Sequence, residues 1–238
     1  MITVEHLTKR YGSFTAVDDL SFEIEAGHVY GFLGPNGAGK STTMNIMTGC
    51  LSATAGHVQI DGYDVFEHPK EAKRWIGYLP EQPPLYLNET PEEYLHFVGE
   101  AKGIKGTALR EQIDSVVEQT GLGPVRRQRI ATLSKGYRQR VGIAQALLGN
   151  PKVIILDEPT VGLDPATERA LLKTFVENAE GRTLIMITNH LQGVSAMDRV
   201  VFVEDGRIEM EGSPAELERT SERYRRLLAF DRGVPAPA

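Results

Sequence analysis

The chain has 238 residues, of which 41% are hydrophobic and 24% are charged, a balance that is ordinary for an ordered globular protein. Its formal net charge of −6, without a dense stripe of Lys and Arg, argues against nucleic acid as the main partner. Cys50 is the only cysteine, which excludes an internal disulfide, and no apolar run approaches the roughly 20 residues of a membrane span.

Residues 1–90 predict short strands around a glycine-rich loop. The apolar stretch 29–33 predicts a strand, and the loop after it leads into a helix over about residues 39–48. Further along, residues 57–60 predict another strand, and the basic-acidic segment 67–74 predicts a helix. The loop therefore lies between a strand and a helix, which is the context that a phosphate-binding loop requires.

Residues 34–42, GPNGAGKST, fit the phosphate-loop pattern G-x-x-x-x-G-K-[ST]. The glycines let backbone N–H groups approach phosphate oxygens closely, and the helix start leaves further N–H groups free. Lys40 is expected to reach the β- and γ-phosphates, and the Ser41 hydroxyl to bind Mg²⁺. A chance glycine-rich turn is the competing interpretation, which the flanking strand and helix disfavour. The predicted nucleotide-binding residues here are Gly34, Asn36, Gly37, Ala38, Gly39, Lys40, Ser41 and Thr42.

Strand signals are absent from residues 91–148, and the pattern there is helical. Thr90 is a suitable N-cap, with Pro91 at the first helical position and Glu93 three residues after the cap. Apolar residues recur at helical spacing: Leu95, Val98, Ala101, Ile113, Val116 and Val117. This segment predicts an inserted helical subdomain.

After residue 148 the pattern returns to strands that alternate with helices. Strands are expected at 153–156, 183–188, 199–203 and 207–210, and helices near 165–178, 190–197 and 214–229. The tail 233–238 is rich in Pro and Ala and is expected to be disordered. The predicted parts are 1–90 and 149–215 for an α/β core, 91–148 for the helical subdomain, and 216–238 for a terminal helix and tail. Such alternation favours a largely parallel sheet with a nucleotide at the carboxyl ends of its strands.

The sequence VIILDE at residues 153–158 predicts a buried strand that ends in two carboxylates. Because the strand end should lie near the phosphates, Asp157 is expected to hold Mg²⁺ directly or through water. Glu158 is expected to accept a proton from the water that attacks the γ-phosphorus. The alternative, a structural cap, is disfavoured by the phosphate loop upstream.

Residues 133–140, LSKGYRQR, lie just before this acidic strand and resemble the signature motif of ATP-binding cassette (ABC) proteins. Other elements that are similar to ABC motifs stand in order around it. They are Tyr11 after the first strand, the Q-loop-like run 77–82, the D-loop-like run 162–164 and the TNH run 188–190. The resemblance extends to about residue 215.

The resemblance implies a P-loop NTPase with a mostly parallel core sheet, an N-terminal antiparallel β subdomain and an inserted α-helical subdomain. It implies that Tyr11 stacks on adenine, that His190 senses the γ-phosphate and that Asp164 organises a dimer contact. Ser134 and the backbone of Gly136 would face the ATP held by a second copy, so that ATP joins two copies head-to-tail. Structural alternatives stay open: a packed Tyr11, helix N-caps at Ser134 and Asp164, and a buried His190.

Two departures from the usual motifs bear on function. The signature usually reads LSGGQ, whereas Lys135 and Tyr137 occupy its third and fifth places, and LSKGY is similar to the variant in cassettes of two-chain exporters. Counted from Pro80, the usual Q-loop glutamine falls on Glu81, with Gln82 one step later. We expect Glu81 to face the metal and keep Gln82 as a nucleotide-binding candidate.

These features predict the ATPase subunit of an exporter, which uses ATP and Mg²⁺ and powers a separately encoded membrane permease. The chain would lie at the cytoplasmic face of the membrane, held there by the permease. Tyr94, Leu95 and Phe97 lie near the start of the helical segment that would receive the permease, although core packing is expected for at least two of them. An importer cassette and a soluble ABC ATPase stay open as alternatives.

Overall fold

The computed structural model describes residues 1–231 except 162, 164–167, 169, 170, 172–174, 176–180, 190–193, 195 and 196. Within these residues the strands form two sheets. The first is antiparallel and contains β1 (Ile2–Tyr11), β2 (Phe14–Ile24), β4 (Ala55–Ile60) and β5 (Tyr63–Asp64), in the order β2-β1-β4-β5. This sheet agrees with the antiparallel β subdomain that the sequence resemblance implies.

The second sheet is mostly parallel. Its strands are β3 (Val29–Leu33), β6 (Ile76–Leu79), β7 (Val153–Asp157), β8 (Thr183–Thr188), β9 (Arg199–Glu204) and β10 (Arg207–Gly212), in the order β10-β9-β3-β8-β7-β6. Only β10 runs antiparallel to its neighbour within this sheet as described. The carboxyl ends of β3, β7 and β8 therefore meet at one edge, where the sequence predicts the nucleotide.

The parallel sheet is buried on both faces, because alternate residues of each strand enter different hydrophobic clusters. In β7, Ile154 and Leu156 belong to the cluster that contains the helical segment, whereas Val153 and Ile155 belong to the cluster under the antiparallel sheet. β8 alternates in the same way. Burial on both faces explains why VIIL in β7 is a continuous apolar run rather than an alternating one.

Among the residues that the structure describes, the helices with defined bounds are α1 (Lys40–Met47), α2 (Pro69–Lys73), α3 (Pro91–Ala101), α4 (Gly106–Gln119), α5 (Lys135–Leu147), α6 (Pro214–Thr220) and α7 (Glu222–Asp231). Short 3₁₀ turns occupy Gly123–Val125 and Ile130–Thr132. Thr90 caps α3 as predicted: its hydroxyl accepts the Glu93 N–H, and the Glu93 carboxylate accepts the Thr90 N–H. No helix among the described residues is long and apolar enough to cross a bilayer.

Two helix predictions need correction. The helix expected over 67–74 begins only at Pro69, because the carboxylate of Asp64 accepts the N–H groups of Phe66 and Glu67 in a turn. The helix expected over 214–229 is broken at Ser221, whose backbone is extended and whose hydroxyl accepts the N–H of Tyr224. This serine therefore begins a second helix instead of continuing the first.

The described residues leave several predictions untested. The helices expected at 165–178 and 190–197 lie mostly outside them, and so does the tail from 233. The helical stretch 91–148 packs into the same hydrophobic cluster as one face of the parallel sheet. The domain boundaries drawn from the sequence stay predictions.

Candidate functional site

The phosphate loop connects the end of β3 to the start of α1. At two of its positions only glycine fits, for steric as well as conformational reasons. Gly34 has φ 149° and Gly39 has φ 97°, values that side-chain-bearing residues rarely adopt. A Cβ atom on Gly34 would lie 2.0 Å from the Val203 carbonyl oxygen, and one on Gly39 would lie 2.4 Å from that of Ala16. The first turn of α1 contains no acidic residue, so no carboxylate of the helix itself competes with an anion for its free N–H groups.

Lys40 is buried, and its ammonium group donates three hydrogen bonds. The acceptors are the Gly34 carbonyl at 2.7 Å, the Pro35 carbonyl at 3.0 Å and the side-chain oxygen of Asn189 at 2.8 Å. Burial lowers the pKa of Lys40, and the nearby carboxylates Glu158 and Asp157 oppose that shift. The cation is therefore held in place by neutral oxygens beside the loop.

Asp157 ends β7 and is almost fully buried. Burial raises its pKa, as does the negative charge of Glu81, whereas the hydrogen bond from Ser41 and the charge of Lys40 lower it. The Ser41 hydroxyl donates to Asp157 Oδ1 at 3.3 Å. Three oxygen-bearing side chains, those of Ser41, Asp157 and Glu81, thus converge at one edge, and such a set suits a hard cation such as Mg²⁺.

Glu158 follows directly and is also buried, with its backbone at φ 47° in the left-handed region. Its N–H donates to the Ile187 carbonyl of β8 at 3.1 Å. This conformation is uncommon for a residue with a side chain, and the bond to the neighbouring strand holds it. Glu158 lines the same cavity as Lys40.

That cavity has a volume of about 530 Å³, which is in the usual range of small-molecule sites. Most of the predicted residues line it: Tyr11, Asn36, Gly37, Ala38, Gly39, Lys40, Ser41, Thr42, Glu81 and Glu158. The Tyr11 ring is half exposed at its rim rather than packed in the core, with the Lys9 ammonium 5.2 Å from the ring centroid. The geometry leaves the Tyr11 ring accessible to a bound base.

The other predicted residues with described positions do not line this cavity. Gln82 does not line this cavity but a neighbouring one of about 320 Å³, together with Lys135 and Arg138. Ser134 caps α5, with its oxygen accepting the Tyr137 N–H at 3.4 Å, and neither Ser134 nor Gly136 lines the phosphate cavity. Asp164 and His190 fall outside the described residues.

Sequence reasoning did not predict Phe14 or Asn189, which also line the cavity. Phe14 is the direct antiparallel partner of Tyr11 across the β1–β2 hairpin. A hairpin turn at the intervening residues would have indicated this pairing. Asn189 follows β8, and the parallel register that pairs Leu33 with Thr188 brings it beside the phosphate loop. That register is set by the sheet and is not visible in the local sequence.

Residues 17–161, which include the phosphate loop, the signature and the acidic strand, match the family model described as ABC transporter. The chain belongs to the ABC transporter family. The family predicted from the sequence motifs is confirmed, and the chain is an ATP-binding cassette.

Relatives of this cassette are themselves named as ATP-binding proteins. It is 33% identical over 219 residues to the linearmycin resistance ATP-binding protein LnrL of Bacillus subtilis (strain 168), covering 91% of this cassette and 70% of LnrL. It is 35% identical over 222 residues to the probable multidrug ABC transporter ATP-binding protein YbhF of Escherichia coli (strain K12), covering 93% of this cassette. That match spans only 38% of YbhF, so the chain corresponds to less than half of that relative.

Solved structures confirm the predicted α/β P-loop NTPase fold class. An ATP-binding subunit of an ABC transporter superposes with a TM-score of 0.85 at 28% identity, covering 98% of both chains. The dimeric, post-hydrolysis structure of the cassette MJ0796 with ADP and Pi superposes with a TM-score of 0.81 at 27% identity. That match covers 90% of this cassette and 98% of MJ0796.

Proposed function

We propose that this cassette is the ATP-hydrolysing subunit of an exporter and drives a separately encoded membrane permease. One observation supports ATP hydrolysis: Lys40, Glu81 and Glu158 line the same cavity at the end of the phosphate loop. The exporter direction is supported by the LSKGY signature and by the names of YbhF and LnrL, which refer to multidrug transport and to linearmycin resistance.

The predicted site residues have the following proposed tasks. Lys40 binds the β- and γ-phosphates, Tyr11 stacks on adenine, and Glu158 accepts a proton from the attacking water. Ser41, Asp157 and Glu81 would hold Mg²⁺, which when bound offsets negative charge on the phosphate oxygens. His190 is proposed as the γ-phosphate sensor.

A second copy is proposed to complete each site. Ser134 and Gly136 lie outside the phosphate cavity of their own chain, which leaves the start of α5 available to a nucleotide held by another copy. Two copies would close head-to-tail around two ATP molecules, with Asp164 at their contact. MJ0796, to which this cassette is similar, has a dimeric structure, which supports the pairing of two copies.

The permease is proposed to dock on the start of the helical segment. Phe97 is half exposed, and its ring centroid lies 5.2 Å from that of Tyr86, which is also half exposed. Tyr94 and Leu95 are buried in the core, as expected for at least two of the three candidate anchors. The exposed pair supplies the aromatic surface that a short permease helix would need, and it would hold the cassette at the cytoplasmic face of the membrane.

Copurification from detergent-solubilised membranes tests this function. The permease should copurify with the native cassette and with the control Phe66→Ala, which removes an exposed aromatic ring elsewhere, but not with Phe97→Ala. ATPase activity should be low for the isolated cassette and should rise when the permease is added. A fully active, nucleotide-free dimer that brings down no membrane protein would refute the exporter proposal and favour a soluble ATPase. Uptake rather than efflux in vesicles would favour an importer.

A further inference from the structure

Asn189 is the first residue after β8 and lies at the level of the phosphate loop. β8 runs parallel to β3, and Leu33 pairs with Thr188 at the ends of the two strands. The next residues, Gly34 and Asn189, therefore stand side by side at the carboxyl edge of the sheet. Asn189 is exposed and lines the phosphate cavity, so its amide group is not needed for core packing.

The side chain of Asn189 joins two residues of the loop. Its oxygen accepts a hydrogen bond from the Lys40 ammonium at 2.8 Å, and its nitrogen donates to the side-chain oxygen of Asn36 at 2.8 Å. With the Gly34 and Pro35 carbonyls, this bond engages all three N–H groups of the ammonium. Of the three acceptors, only Asn189 lies outside the loop, just after the end of β8.

The amide has a chemical advantage over the other side chains that could hold a lysine. Asp157 and Glu158 already face Lys40 with negative charge. A third carboxylate at 189 would form an ion pair with Lys40 and would repel phosphates, whereas a neutral amide orients the ammonium and leaves its charge available. The amide also offers the donor that Asn36 accepts, which a carboxylate lacks.

We propose that Asn189 is a positioning residue, which holds Lys40 and Asn36 in place for the nucleotide phosphates. The inference rests on the proposed phosphate-binding role of Lys40. Asn189 ties the loop to β8, so the position of the ammonium depends on the core sheet as well as on the loop. The residue acts chiefly through Lys40, so once Lys40 is gone its removal is expected to leave only the smaller effect of the lost hydrogen bond to Asn36.

A double-mutant cycle on the purified full chain tests this, with Mg²⁺-ATP affinity measured by competition against a fluorescent ATP analogue. Asn189→Ala should raise the Kd about tenfold, the usual effect of losing a hydrogen bond to a charged group. The isosteric Asn189→Asp should raise it further, because it adds a competing charge. In the Lys40→Ala background, Asn189→Ala should change the Kd only about twofold to threefold, because the charged partner is absent and only the neutral hydrogen bond to Asn36 is lost.

Asn88→Asp is the matched control, since it makes the same chemical change at an exposed site away from the phosphate loop and should leave the Kd unchanged. Effects of Asn189→Ala that add fully to those of Lys40→Ala would overturn the proposal in favour of a general structural role. Unchanged affinity in both Asn189 variants, with normal binding by the unmodified chain, would refute the positioning role alone. Failure of the unmodified chain to bind ATP would refute the proposed function with it.

Discussion

The hydroxyl of Ser41 and the carboxylate of Asp157 are hydrogen-bonded at 3.3 Å, although 116 positions separate them in the chain. Ser41 lies in the first turn of α1, and Asp157 is the last residue of β7. The bond connects the phosphate loop to the acidic strand, and it places two of the three proposed Mg²⁺ ligands within reach of one ion.

Ser41→Ala should weaken Mg²⁺-dependent nucleotide binding while leaving Mg²⁺-free binding nearly unchanged. Removal of the hydroxyl deletes one oxygen ligand, and losses at metal sites are typically about tenfold or more in affinity. Titration of ATP, first in the presence of Mg²⁺ and then in the presence of excess chelator, measures the Mg²⁺-dependent and the Mg²⁺-free affinity separately. Equal weakening under both conditions would show that Ser41 acts on the loop and not on the metal.

Glu158→Gln should bind Mg²⁺-ATP but hydrolyse it at least about a hundredfold more slowly, because the substitution keeps the size and removes the base. An ATP-bound dimer should accumulate, which size-exclusion chromatography in the presence of ATP would detect. Phosphate release gives the rate, and a denaturation curve checks that the variant is folded. Turnover near that of the unmodified chain would refute the assignment of Glu158 as the base.

Glu81 and Gln82 form a natural pair of test and control in the Q-loop. Glu81 lines the phosphate cavity and its charge raises the pKa of Asp157, whereas Gln82 faces the neighbouring cavity. Glu81→Ala should raise the Mg²⁺ concentration needed for half-maximal ATPase activity about tenfold or more, as expected for a lost metal ligand. Gln82→Ala should leave it within about twofold. The reverse ranking would assign the metal-facing position to Gln82.

The ion pair between Glu92 and Arg126 should make the free energy of unfolding depend on pH in the acid range. The hydrogen bond from Arg126 lowers the pKa of Glu92, so this contribution is present above the unfolded pKa and is lost as pH falls through the lower folded value. Glu92→Gln should reduce the free energy of unfolding at pH 7 by about 1 kcal/mol, since the pair is partly exposed. Urea denaturation should show the difference from the unmodified chain shrinking below about pH 4.

Glu118→Gln is the control for this prediction. Glu118 is exposed on α4, and no ion pair involves it among the residues that the structure describes. Its neutralisation should change stability little at either pH. A gap between Glu92→Gln and the unmodified chain that stays constant from pH 7 to pH 3 would mean that packing, not charge, is responsible.

Local patterns predicted the elements of the site well. The loop GPNGAGKST, the capping box at Thr90 and Glu93, and the strand that ends at Asp157 each depend on residues close in sequence, and each was found where expected. Because these signals are local, the sequence was sufficient to predict the strand–loop–helix and the family.

Features that depend on contacts between distant segments could not be predicted in this way. Asn189 reaches Lys40 only because β8 lies beside β3, a strand order that no local pattern specifies. The exposed pair of Tyr86 and Phe97 likewise depends on how a loop folds over α3. The break at Ser221 differs, since it has a local cause: the hydroxyl competes with the helix for a backbone N–H, and the sequence alone leaves both outcomes open.

The left-handed backbone of Glu158 has a consequence for engineering. A side-chain-bearing residue in this conformation is strained by on the order of 1 kcal/mol or more, and glycine at the same position would be free of that strain. Glu158→Gly would therefore relax the backbone and remove the proposed base in a single change. A library selected only for heat resistance would therefore tolerate glycine at this position, because the relieved strain offsets the entropy cost of glycine. Heat resistance and ATPase turnover should therefore be measured together whenever residue 158 is varied.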